Sequence, residues 1–198
     1  MNHEQDGTSN RPWEVRPRAT VGDPSPELIW TQVGRALTHW ETAEMFSANL
    51  FDVLVASQPS NYSAYNAFIT VKTGSVRTEL LEAAFKVAVP PDDAAYADAE
   101  GAIARLKNFG ARRNEIAHGR VYHMAGGGFV FGPNVIMGHK WKEGVAKFQY
   151  AAADISYYAD CFESLAEGIR KLALALIERN IAASKTSLTM SGAIDEET

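Results

Sequence analysis

Apolar residues, with one serine among them, recur at alternating spacings of four and three from Ile29 through Val33, Ala36, Trp40, Ala43, Ser47 and Leu50 to Leu54. This is the stripe of one long amphipathic helix. Ser25 is placed to cap its N-terminus, Pro26 suits its first position, and Pro59 stops it. A second helix is predicted from about Ser63 to Ala88, with Ile69, Val76, Leu80, Ala83 and Val87 on one face and Pro90-Pro91 closing it. A third begins at Asp92 or Asp93, whose carboxylates suit a helix N-terminus. Its stripe reads Ala99, Ile103, Leu106, Gly110, Arg113, Ala117, with Gly119 as the residue that ends it. A fourth runs from about Ala153 to Ala183 through Ile155, Phe162, Leu165, Ile169, Leu172 and Leu176.

Between the third and fourth helices the period changes. Val121-Tyr122-His123, Phe129-Val130-Phe131 and Lys147-Phe148-Gln149-Tyr150 are short aromatic or β-branched runs, the first two separated by Gly126-Gly127-Gly128. The predicted fold class is therefore mainly α, an antiparallel four-helix bundle with a small β-hairpin or meander insertion before the last helix. The helical domain is expected over residues 24–183, with the insertion at about 120–150. Polar residues 1–23 read as a disordered N-terminal arm, and residues 184–198, ending in Asp195-Glu196-Glu197, as a flexible acidic tail.

Composition narrows the function. Forty-six per cent hydrophobic residues in 198 suffice for one globular domain. A net charge of -5 argues against non-specific coating of nucleic acid, which needs a broad basic surface. A single cysteine, Cys161, builds no disulfide framework and no thiolate zinc site. Met1 to Asn10 has no apolar core of a secretory signal, and the longest apolar run, Leu172 to Ile177, soon meets Glu178-Arg179. A cytoplasmic protein that does not span a membrane is expected.

The chemistry concentrates at the end of the third predicted helix. Arg113 falls on its apolar stripe, where a guanidinium needs a partner or a site. Asn114 and His118 are four apart and so neighbours on the helix surface. From Arg105 to His123 there are five cations (Arg105, Lys107, Arg112, Arg113, Arg120) against Glu115 alone, a local charge of +4 that would draw phosphate. In a purely structural reading, Arg113 pairs with Glu41 or Glu44 of the first helix and His118 caps terminal carbonyls. His3, His39, His123 and His139 carry less weight, since neither His-x3-His nor His-Glu-x-x-His occurs and no metal site is expected.

The string Arg113-Asn114-Glu115-Ile116-Ala117-His118-Gly119, at the end of a long helix before the last one, resembles the signature of HEPN domains. The resemblance spans about residues 25 to 183, although its specific part is seven residues long. It implies a metal-independent endoribonuclease without cofactor, a homodimer in which two motifs share a cleft near the ends of the third helices, and an RNA substrate. It also implies a toxin–antitoxin or defence setting, with an antitoxin or regulatory protein as partner. Arg113, His118 and Asn114 would be catalytic, and Arg112, Arg120, Arg105 and Lys107 would bind substrate. Glu44 and Glu41 would support them. The alternative is a non-catalytic helical dimerisation or partner-binding module in which Arg113 and His118 are structural. A small-anion or nucleotide-binding bundle is a third reading. The β insertion has no counterpart in a minimal HEPN bundle.

Overall fold

A computed structural model describes residues 11–55, 62–134 and 147–192 of the chain, with side chains to Lys185. The fold is mainly helical. Among the described residues, five helices, α1 (Pro26–Val55), α2 (Ser63–Thr70), α3 (Gly74–Ala88), α4 (Tyr96–His118) and α5 (Ala152–Gly192), accompany strands β1 (Gly119–His123) and β2 (Phe129–Pro133). Among the described residues no helix is long and apolar enough to cross a membrane.

The chain forms two compact units. The first takes the described residues of Met1–Leu37 and Ala111–Cys161, the second those of Thr38–Gly110 and Phe162–Thr198. In the second unit, Trp40, Phe68, Leu81, Phe85, Leu106, Phe109, Phe162 and Leu176 are buried. Trp40 and Phe109 each meet Phe162 edge-on, with centroids 5.1 and 5.5 Å away.

The expected second helix is two helices. Val71 and Thr73 adopt extended backbone and separate α2 from α3. Three β-branched residues, Thr70, Val71 and Thr73, followed by Gly74, weaken helix propensity there. The freed Val71 carbonyl accepts from Arg77 Nε at 2.7 Å, and the same guanidinium donates to Glu44 Oε2 at 3.1 Å. The expected stripe of this segment does not face the core. Val76, Leu80 and Val87 are exposed, and Thr78, Leu81 and Phe85 are buried instead.

The first unit is built around the hairpin. β1 and β2 pair antiparallel, Val121 opposite Phe131, and Gly127 and Gly128 turn the chain at φ 95° and 80°. On its other edge β2 is bridged by Asp23 at Phe129 and by Tyr150 at Phe131. The expected third strand is thus reduced to a single bridge at Tyr150. Residues 135–146 of the insertion lie outside the described residues.

Residues 11–23 are not the free arm expected from their polarity. Ala19 N–H donates to the Gln149 carbonyl, Arg16 N–H donates to the Tyr158 hydroxyl, and Tyr158 donates to the Glu14 carbonyl at 2.6 Å. The Arg16 guanidinium lies 4.7 Å from the Tyr157 ring centroid and 3.5 Å from Asp154. Gly22 crosses the hairpin turn so closely that a Cβ there would sit 2.7 Å from the Gly128 carbonyl carbon. The backbone contacts, which composition does not reveal, hold the segment. The N-terminal part of the predicted arm, residues 1–10, lies outside the described residues, as do residues 193–198 of the tail. Residues 184–192 of that tail continue α5.

Helix starts follow their capping residues. Ser25 Oγ accepts the Glu27 N–H at 3.2 Å, and Asp93 Oδ1 accepts the Ala95 N–H at 2.8 Å just before α4. At α5, Asp154 and Asp23 accept the N–H groups of Ala151 and Ala152 at 3.0 and 2.7 Å.

Candidate functional site

The last two turns of α4 divide sharply by face. Arg112, Glu115 and Ile116 are buried, Arg113 and Ala117 are half-buried, and Asn114 and His118 are exposed. At about 100° per residue, the three buried positions span one side and Asn114 and His118 the other. The expected stripe through Gly110, Arg113 and Ala117 is therefore out of phase by one position. Phe109, Arg112 and Ile116 continue the buried line from Leu106, and the buried arginine is Arg112.

That burial costs too much unless the charge is paired. Arg112 Nη2 donates to Glu115 Oε1 at 2.9 Å, and the Tyr150 hydroxyl donates to Glu115 Oε2 at 2.8 Å. Lys147 Nζ, largely in solvent, stands 4.0 Å from Oε1. Burial pushes the Glu115 carboxyl above its ordinary range, against the opposing pull of the Tyr150 hydroxyl, Arg112 and Lys147. Burial, then the Glu115 charge, pushes the Tyr150 hydroxyl strongly upward, so it remains a donor. Tyr150 stacks on Phe148 at 5.0 Å and meets Tyr158 at 5.5 Å. Through Tyr150, bridged to Phe131, this network ties the end of α4 to the hairpin.

Gly119 serves that junction in an unexpected way. It is the first residue of β1 and lacks the positive φ of a helix-ending glycine. A Cβ at this position would collide with the Phe131 ring and lie 2.9 Å from the Glu115 carbonyl oxygen. The glycine is required by close packing, not by a left-handed turn.

The exposed face carries the other half of the motif. Arg113 Nη1 donates to Asn114 Oδ1 at 3.3 Å, while Arg113 Nε is buried without a partner. Positions 113 and 118 lie about 140° apart around an ideal helix, and 114 lies about 40° from 118. Asn114 thus draws the guanidinium toward the edge that His118 occupies. The arrangement offers a cation with free N–H groups, an amide and an imidazole to a ligand from solvent.

The other expected site residues fall in different places. Arg112, expected to bind a flanking phosphate, is 6% exposed and committed to Glu115, so it is not available to one. Arg120 is exposed on β1. Arg105, Lys107, Glu41 and Glu44 belong to the second unit. There Lys107 Nζ is 3.7 Å from Glu82, and Glu44, expected as a partner for Arg113, accepts from Trp40 Nε1 at 2.8 Å and from Arg77. His123 packs against Phe129, whereas His3 and His139 lie outside the described residues. Glu115, Tyr150 and Lys147 were not singled out by sequence reasoning. Glu115 had one signal, as the lone anion in a basic stretch, three residues after Arg112. No group of three or more metal-ligating side chains is assembled among the described residues.

Comparison with protein-family models, with curated proteins and with solved structures found no match to this chain.

Proposed function

We propose that the chain is a metal-independent endoribonuclease of HEPN type, acting as a homodimer on RNA. The observation that carries this reading is the exposure of Asn114 and His118, with the half-buried Arg113 donating to Asn114, at a helix end whose opposite side is locked by Arg112, Glu115 and Tyr150. A rigid element that presents a few polar groups to solvent is the arrangement catalysis requires. A purely structural role for Arg113 and His118 calls for burial and internal pairing, and in this unit those belong to Arg112 and Glu115.

Cleavage without a metal needs a base to take the 2′-hydroxyl proton, an acid to protonate the leaving 5′-oxygen, and cationic donors for the phosphorane oxygens. His118 serves the proton transfers. Arg113 stabilises the equatorial oxygens through its planar fork, and Asn114 orients that fork. One chain offers one such histidine, so a two-fold dimer supplies the second. Arg120 adds an exposed cation for a neighbouring phosphate. The finer architecture, a HEPN-like antiparallel bundle, and a cytoplasmic setting with an antitoxin or regulatory partner, belong to the same proposal.

The test is cleavage of a mixed-sequence RNA by purified protein in EDTA. Wild type is expected to cut and His118→Ala to leave the RNA intact. A folded wild-type dimer that leaves RNA uncut would overturn the assignment.

A further inference from the structure

Helix α3 carries an apolar stripe that the described residues of its own unit do not cover. Val76, Leu80, Ala83 and Val87 are all exposed, Val87 at 89%, on a helix whose other face buries Thr78, Leu81 and Phe85. Their spacings of four, three and four are those of a coiled-coil seam rather than of scattered surface residues. We infer that this face docks a second copy of the same chain, with the two α3 helices antiparallel across a two-fold axis.

Self-complementarity identifies the occupant. In an antiparallel pair centred between Leu81 and Glu82, Val76 lies opposite Val87 of the second copy, and Leu80 lies opposite its Ala83. The larger Leu80 therefore meets the smallest residue of the stripe, and the pattern is repeated by symmetry. The charges flanking the seam obey the same symmetry. Glu79, exposed on one edge, comes beside Lys86 of the second copy, and Lys86 beside its Glu79. Lys86 already donates to Glu82 at 2.7 Å, but an ammonium has three donors and can accept a second carboxylate. A parallel pair would instead bring each flanking residue beside the opposite edge and lose these two contacts. An isologous interface requires both apolar and charged residues to match themselves under one two-fold operation, and α3 meets that requirement.

A helix of 15 residues is only about 22 Å long, and four such side chains cover less than the roughly 800 Å² per partner of a stable standard interface. The pairing by α3 is accordingly weak, with a dissociation constant on the order of micromolar. It does not depend on the ribonuclease reading: a chain that dimerises through α3 but cuts no RNA retains this inference and loses that one.

The test uses the full chain in sedimentation velocity over a concentration series through the micromolar range. Wild type should double in mass across the series, and Leu80→Glu should weaken that doubling at least about tenfold while circular dichroism and melting remain near wild type; association through the α4 ends, as proposed for catalysis, is the part that Leu80→Glu leaves unchanged. Glu79→Lys should also weaken it, and Glu79→Lys with Lys86→Glu should restore it. In a Cys161→Ser background, oxidising a mixture of Val76→Cys and Val87→Cys chains should yield the mixed disulfide dimer. A wild type whose mass does not rise with concentration would overturn the inference and leave the face to a different protein. Concentration dependence indifferent to Leu80→Glu, or linkage of Val76→Cys only to itself, would overturn it as well.

Discussion

Arg112 and Arg113 are adjacent, carry the same charge and end the same helix, yet they occupy opposite physical regimes. Arg112 lies in the interior, held by Glu115, which is held in turn by Tyr150. Arg113 stands at the boundary with solvent, and among the described residues its guanidinium is held by a long hydrogen bond to Asn114. A single 100° step along the helix separates a charge that the fold cannot release from one that it leaves free for a ligand. Charge and sequence position therefore say little about role, whereas the face of the helix says a great deal.

The largest expected effect lies on the buried side. Glu115→Ala would strand the Arg112 guanidinium and the Tyr150 hydroxyl together, a loss of about 3–5 kcal/mol for a broken buried pair. For a chain of this size that corresponds to a melting temperature lower by roughly 6–20 °C, readable by calorimetry. A change of only a few degrees would mean that water reaches the network. Gly119→Ala should follow, at about 1–3 kcal/mol, because the added methyl must displace the Phe131 ring or the Glu115 carbonyl. A stability equal to wild type in urea unfolding would show that the hairpin is not held against α4 at this point.

A smaller effect sharpens the comparison through pH. Burial raises the Glu115 pKa, so the folded chain holds that proton to higher pH than the unfolded chain does. The stability this group contributes is fully present below the ordinary carboxylate range and is lost as pH rises through the raised value. Carboxylates paired with arginines nearer the surface act in the opposite sense. Glu167, lowered to about 2 chiefly by its bond to Arg170, and Asp93, lowered by the Ala95 N–H and Arg179, lose their contribution as pH falls. Glu115→Gln should remove only the first component. Urea unfolding from mildly acid to neutral pH should then show wild type losing ground to the variant as pH rises, and parallel curves would contradict the shift.

The helices were legible because capping residues and apolar periods are local. Ser25, Pro26 and the stripe from Ile29 to Leu50 mark α1 in the local sequence. Two matters were not legible. The stripe of α4 drifts, and choosing Gly110 and Arg113 over Phe109 and Arg112 depends on a phase that a spacing of three or four leaves open. Residues 11–23 are held by backbone hydrogen bonds to Phe129 and Gln149, which polar side chains do not announce. At the site, the sequence exposed the cluster of cations but not which of them is paired, because the partner tyrosine stands 35 residues from Glu115.

The most direct measurement is the melting temperature of Arg112→Ala beside that of Arg113→Ala. Arg113→Ala should stay within the effect of an ordinary surface substitution, about 0.5 kcal/mol or 1–2 °C, while Arg112→Ala falls by several times that amount. Equal and large losses in both would place Arg113 in the buried network and contradict the division of the helix into a structural and a functional face.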